Sequence, residues 1–206
     1  MPVVHLVRHG HVHNPEGVLY GRMPEFRLSA AGERMAEATA RSLAGSGRDI
    51  ARVISSPLLR AQQTAGAIGA ALGLPVETDD RLIEAGNLWE GRRIHPVARL
   101  ALDPRTLWRV RNPCRPSWGE PYADQRDRVM AAVLDAAKAE PTRETVMVSH
   151  QLPIWVARLA AEGRRLAHNP SVRECALASV TSLTVEDGKI VGVEYSEPAA
   201  AVEVPR

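Results

Sequence analysis

The sequence is poor in aromatic residues, which make up 4% of it, and almost devoid of lysine, which occurs only at Lys138 and Lys189. The first shortage means that the core must be built mainly from Ala, Val, Leu and Ile. The second means that nearly every cation is an arginine. A codon bias gives that composition, and so does a need for planar forks that grip phosphate or carboxylate; only position separates the two. Two cysteines, Cys114 and Cys175, stand far apart and in no CxxC, which excludes a disulfide framework and a cysteine zinc module. No apolar run approaches the ~18 residues of a membrane span. Charge arrives at Arg8, so no signal peptide fits the N-terminus. The net charge of +2 and the pI of about 8.8 are too mild to indicate nucleic acid. A soluble, cytoplasmic protein is expected, with no nucleic-acid or membrane partner; a homodimer is left open.

What remains is ordinary for a globular chain. The 206 residues carry 45% hydrophobic and 24% charged side chains, enough for one packed domain and too few for a (β/α)8 barrel of about 250 residues. Residues 3–7 form a β-branched run and predict a buried strand. Residues 14–28, with Pro15, Gly17, Gly21 and Pro24, predict a loop. Ser29 predicts an N-cap for a helix to Leu43, stopped by Gly45 and Gly47. Residues 52–55 predict a strand, and Ser56-Pro57 predicts an N-cap and first position of a helix ending at Gly73. Residues 76–78 predict a weak strand. A helix over 122–139, a strand over 145–149 and a helix over 152–161 follow. Strands over 175–185 and 189–195 flank Glu186-Asp187-Gly188, a hairpin signal. Alternation of strand and helix predicts an α/β fold with a mostly parallel sheet and an antiparallel edge. One domain over 1–196 is expected. It carries a lid-like excursion at about 86–120, rich in Trp and Pro, and a loose tail over 197–206.

In such sheets ligands bind at the carboxyl ends of the strands. Arg8-His9-Gly10 follows the first strand, Ser56-Pro57 and Arg60 the second, Glu84 the third, and His150 the strand over 145–149. Two guanidiniums and two imidazoles on one edge suit a tetrahedral dianion, and Arg60 lies in a first helical turn, where the dipole also favours an anion. Taken singly these residues are unremarkable: an Arg before a helix is ordinarily a surface ion pair. His5, inside the first strand, reads as a core histidine, and His95 and His168 as surface.

Val7-Arg8-His9-Gly10, Ser56-Pro57-x-x-Arg60-Ala61-x-x-Thr64-Ala65, Leu82-x-Glu84 with Trp89-Glu90-Gly91, and Val148-Ser149-His150 together resemble the histidine phosphatase superfamily, whose best-known members are the cofactor-dependent phosphoglycerate mutases. The resemblance spans residues 3–185 in the family's order. It implies a three-layer α/β/α fold and a nucleophilic His9 that forms a phosphohistidine. Arg8, Arg60 and His150 would hold the phosphoryl group. Glu84 would give a proton to the leaving oxygen and then take one from water. Gly10 would let the backbone pass close to the substrate. No cofactor and no metal are implied, and the partner is a small phosphorylated substrate.

Some positions depart from the family's pattern. His11 follows Gly10 where Glu or Gln is common. Asn14 lies one residue short of the usual asparagine, whose place Pro15 takes, and is expected to remain a substrate or phosphate ligand. Gln151 replaces the frequent glycine after His150 and still offers its backbone N–H. Arg22 matches a substrate-side position. In the lid, Arg92, Arg93, Arg105, Arg109 and Arg111 are candidates for an anionic substrate.

Two rival classes are weighed. His9-x-His11-x-His13 has spacing that can ligate zinc, with His150, Glu84, Asp79 or Asp80 to complete it, but Arg8 would repel a dication. A non-catalytic phosphate-binding domain would have lost His9 or Glu84. The sequence therefore predicts a metal-independent phosphatase of a small phosphomonoester; the alternative is mutase-like transfer between positions of one metabolite.

Overall fold

A computed structural model describes residues 1–93 and 119–204. Most of the expected excursion, with His95, Arg105, Trp108, Arg109, Arg111, Cys114 and Trp118, lies outside the described residues. The strands are β1 (Val3–Arg8), β2 (Ile50–Ser55), β3 (Val76–Thr78), β4 (Glu144–Ser149), β5 (Val180–Glu186) and β6 (Lys189–Ser196). They form one sheet in the order β3-β2-β4-β1-β5-β6. β1, β2 and β3 run parallel with β4 through their neighbours, and the β5–β6 hairpin adds antiparallel pairs at the β1 side.

Alternation along the central strands explains the layers, because successive side chains point to opposite faces. Leu6 and Met147 face one core with the helices α3 (Tyr122–Ala139) and α4 (Gln151–Ala161). Val7, Val146 and Val148 face the other, with α1 (Ala30–Ala44) and α2 (Leu59–Leu72). Burial on both faces is why β1 and β4 read as continuous apolar runs. The fold is α/β in three layers, and both cores are filled by aliphatic side chains.

The Ser29 side chain caps α1 by accepting from the Gly32 N–H, and the hairpin turns through Asp187 and Gly188 with φ of 48° and 73°, the type I′ geometry that suits right-twisted strands. Three expectations need correction. Ser56 does not cap α2, which begins at Leu59 after Leu58 with no side-chain cap; the Ser56 hydroxyl is drawn to His150 instead. The strand expected from Cys175 begins at Val180, because Ala178 takes a left-handed φ of 56° that breaks extended pairing. The chain after β6 is not loose where it turns back, for Ala199 is buried against Met35 and Ala178. Among the described residues no helix is long and apolar enough to cross a membrane.

Candidate active site

β1 and β4 are neighbours with Arg8 opposite Ser149, so the residues that follow them, His9 and His150, emerge side by side. The His9 N–H continues the ladder onto the Ser149 carbonyl at 3.1 Å, and the two imidazole centroids are 5.1 Å apart. Both rings are buried, at 2% and 0% exposure.

The tautomer of His9 follows from its partner. Nδ1 meets the carbonyl oxygen of Gly10 at 2.8 Å, and a carbonyl can only accept, so Nδ1 carries the proton. A neutral ring then has its lone pair on Nε2. Burial, followed by the charges of Arg60 and Arg8, holds the His9 proton affinity well below the usual histidine range. His150 is held low by burial, His9, Arg60 and Arg8. Its Nε2 pairs with the Ser56 hydroxyl at 2.8 Å, and its Nδ1 is buried without a partner.

Arg60 is fully buried and has no ion pair among the described residues. It donates to the carbonyls of Gly21 at 2.5 Å and Met23 at 3.2 Å, and its guanidinium carbon lies 4.8 Å from the Tyr20 ring centre. Its Nε has no partner. Arg8 donates to the Cys175 carbonyl at 2.6 Å, and its Nε is likewise unpartnered. A buried guanidinium with no side-chain ion pair, such as Arg60 beside the part-buried Arg8, is costly unless an anion completes it. α4 starts directly after His150 with no side-chain cap, so the positive end of its dipole lies at the same edge.

Glu84 is carried in by the 3-10 helix Asp80–Leu82, which the Ser149 hydroxyl fastens through the Leu82 carbonyl at 2.7 Å. Its Oε1 accepts from the Ala85 N–H at 2.8 Å. Burial raises its pKa, against the pull of that hydrogen bond and of Arg60, Arg8 and Arg173. Arg8, His9, Arg60, Glu84 and His150 therefore converge as one cluster of opposed charges, and the raised carboxyl has the character of a general acid.

The residues expected on the substrate side fare differently. Both amide atoms of Asn14 are engaged by the backbone of Val18, so it clamps a turn. Arg22 donates to the Glu84 carbonyl at 2.7 Å and to the Glu120 carboxylate at 2.8 Å; it positions Glu84 and is not a free cation. Gln151 faces a cleft of about 450 Å³ shared with Arg8 and Arg173. Arg92 is exposed, and Arg93 pairs with Glu16 at 3.6 Å. Packing requires a glycine at position 10: a Cβ there would strike the Gly32 backbone oxygen in α1, and a Cβ on Gly32 would strike the His11 oxygen. His11 turns its Nδ1 to Ser29 at 2.8 Å, and His13 is exposed. Among the described residues no group of three or more His, Cys, Asp or Glu could hold a metal ion.

Several contributors have no role readable from the sequence, although Thr64 stands in the Ser56–Ala65 motif. Thr64 accepts from the Gly10 N–H at 3.2 Å and donates to the Arg60 carbonyl at 2.9 Å, tying α2 to the loop after β1. The left-handed Ala178 donates its N–H to the His9 carbonyl at 3.3 Å and receives the Thr39 hydroxyl at 2.8 Å. His168, expected on the surface, is half-buried and accepts from Arg173.

Comparison with known proteins agrees with this geometry. The chain is 54% identical over 197 residues to the uncharacterized protein Rv0525 of Mycobacterium tuberculosis, covering 96% of each. It is 31% identical over 153 residues to phosphoserine phosphatase 1 of Hydrogenobacter thermophilus, covering 72% of this chain and 71% of that protein. The native structure of mycobacterial glucosyl-3-phosphoglycerate phosphatase superposes with a TM-score of 0.74 at 26% identity, over 94% of this chain and 95% of the other. The family model of the histidine phosphatase superfamily (branch 1) matches residues 4–198, and the chain belongs to that superfamily.

Proposed function

We propose that the protein is a metal-independent phosphatase that hydrolyses a small phosphomonoester through a phosphohistidine on His9. The observation that carries this reading is the His9 Nδ1–H bond to the Gly10 carbonyl, which leaves a lone pair on Nε2 of a buried neutral ring beside two unpaired arginines.

Nε2 attacks phosphorus, the ester P–O bond breaks, and the departing oxygen takes the proton of Glu84. Arg8, Arg60 and His150 hold the equatorial oxygens, where most of the catalytic task in phosphoryl transfer lies. A water then attacks the phosphohistidine, Glu84 recovers a proton from it, the P–N bond breaks, and inorganic phosphate leaves with neutral His9 restored. Splitting the transfer avoids direct attack by water on the ester. The phosphatases among the relatives support the same reaction class.

Rapid acid-free denaturation during turnover of p-nitrophenyl phosphate tests the reading. An alkali-stable, acid-labile phosphate should map to the peptide containing His9, and turnover should survive chelation with EDTA. Full activity in His9→Ala, or activity lost to EDTA and restored by Zn2+ or Mn2+, would overturn it.

A further inference from the structure

Glu84 sits on a stretch without regular structure, and side chains from three different places grip the carbonyls around it. The Ser149 hydroxyl, at the end of β4, holds that of Leu82. Arg128, on α3, donates to that of Arg81 at 2.5 Å. Arg22, in the loop before α1, donates through its Nε–H to that of Glu84 itself at 2.7 Å.

A single carboxylate directs both arginines. Oε2 of Glu120 accepts from a terminal nitrogen of Arg22 at 2.8 Å and from one of Arg128 at 2.9 Å, and Oε1 accepts from Nε of Arg128 at 2.8 Å. Each guanidinium therefore has one side on Glu120 and another on the backbone beside Glu84. The fork is planar, so fixing one nitrogen fixes the direction of the others. The Glu120 and Arg128 side chains are each 17% exposed, and partly buried charges are screened less than surface ones. The main chain ties Glu120 to the same stretch. Its N–H donates to the Gly86 carbonyl at 3.1 Å, Gly119 bridges to Asn87, and a Cβ on Gly119 would strike the Gly86 oxygen.

We propose that Glu120 is a positioning residue: through Arg22 and Arg128 it fixes the backbone that aims the Glu84 carboxyl at the leaving oxygen. The proposal rests on the phosphatase reading, in which Glu84 is the acid. Aim matters because the acid must come within about 2.6–3.2 Å of the atom it protonates, and a displacement of about 1 Å can cost about 100-fold. A role in folding alone would lower stability and every rate together. A role in aim falls on the proton transfer.

Glu120→Gln tests this, because it keeps the shape but loses the charge and the second acceptor oxygen that bind two guanidiniums. Phosphorylation of His9 by an alkyl phosphate should slow about 10- to 100-fold, and by p-nitrophenyl phosphate far less, with KM little changed. In a Glu84→Gln background the same substitution should cost nothing further with the alkyl phosphate, since residues that act as one unit are not additive. Arg22→Lys, whose one nitrogen cannot span carboxylate and carbonyl, should reproduce the pattern, and it carries the same measurements if Glu120→Gln does not fold. Carbon-13 NMR of the Glu84 carboxyl gives a reading independent of turnover. Burial raises its pKa in the intact protein. Loosening the stretch should admit water and move the titration down toward the ordinary carboxylate range, while Arg8, Arg60 and Arg173, whose charges act on Glu84, stay in place. An equal loss at every leaving group, additive losses in the double variant, or an unmoved Glu84 titration would overturn the proposal. A wild type that turns over no phosphomonoester, with the Glu84 titration moved in the variant, would instead reject the phosphatase reading and leave the hold of Glu120 on Glu84 standing.

Discussion

The Ser56 hydroxyl and Nε2 of His150 lie 2.8 Å apart, both residues fully buried. The Leu58 N–H donates to the same hydroxyl at 3.4 Å, and the hydroxyl can at the same time donate its own proton to Nε2. In that arrangement the His150 proton sits on Nδ1, the buried atom without a partner, from which it can donate to a phosphoryl oxygen.

Removing the hydroxyl should therefore cost activity through His150. Ser56→Ala is expected to lower kcat/KM about 10- to 100-fold, the range for leaving a buried acceptor unpaired, while Ser56→Thr keeps most of it. Nitrogen-15 NMR of the histidine rings should show His150 losing its Nδ1–H form in Ser56→Ala. An unchanged tautomer with unchanged kcat/KM would detach Ser56 from the chemistry.

Glu84 should matter in proportion to the need of the leaving group for a proton. General acid catalysis contributes about 10²–10⁴-fold, and a nitrophenolate leaves without help. Glu84→Gln is expected to slow His9 phosphorylation by an alkyl phosphate by that range and by p-nitrophenyl phosphate far less. With the aryl substrate a burst of nitrophenol should precede slow turnover, since the second step lacks its base. Pre-steady-state rates across a leaving-group series decide the matter: a uniform loss removes Glu84 from the acid role. Asp79 would then be a poor substitute, being bound by Arg81.

Acid should destabilise the fold through the same histidines. His9 and His150 are both held well below the ordinary histidine value of 6.5. Below that pH the unfolded chain binds protons that the folded chain refuses, so stability falls as pH falls, by up to about 1.4 kcal/mol per pH unit for each ring. The window runs from 6.5 down to the depressed folded values. His5 and His168 shift in the same direction; Glu84, raised above 4.5, works in the opposite sense just above that pH. Urea unfolding at pH 7.0 and 5.5 should give a clear drop, and His150→Asn should reduce the drop by close to one proton's share. An equal drop in the variant would place the pH dependence elsewhere.

The elements were legible because their signals are local. Ser29 and Gly73 mark helix ends with their own side chain or its absence, and Asp187-Gly188 marks a turn. Convergence of Arg8, His9, Arg60, Glu84 and His150 was legible because strand ends share one sheet edge. What escaped is set by contacts between distant segments. Ser56 looked like a cap since nothing in its neighbourhood announces His150, 94 residues on. For Asn14 and Arg22 the sequence shows polarity and not what holds it: the partners Val18, Glu84 and Glu120 come from the fold. His168 looked superficial in a segment whose ring contacts come from α3 and α4. Gly32 carried the one overlooked hint, a glycine in the first turn of a well-capped helix, where its conformational cost calls for a packing reason.

That reason has a mechanical consequence. In the proposed attack of Nε2 on phosphorus the ring would be pushed back along its own bond axis, and the loop carrying it must not recoil. Behind Gly10 stands the backbone of Gly32, and over Gly32 stands the backbone of His11, so main chain rests on main chain with no side chain between to compress. The carbonyl that fixes the His9 tautomer belongs to the pinned residue. α1 is thus the backstop of His9, and the direction of the imidazole and the position of its proton are set by one rigid contact.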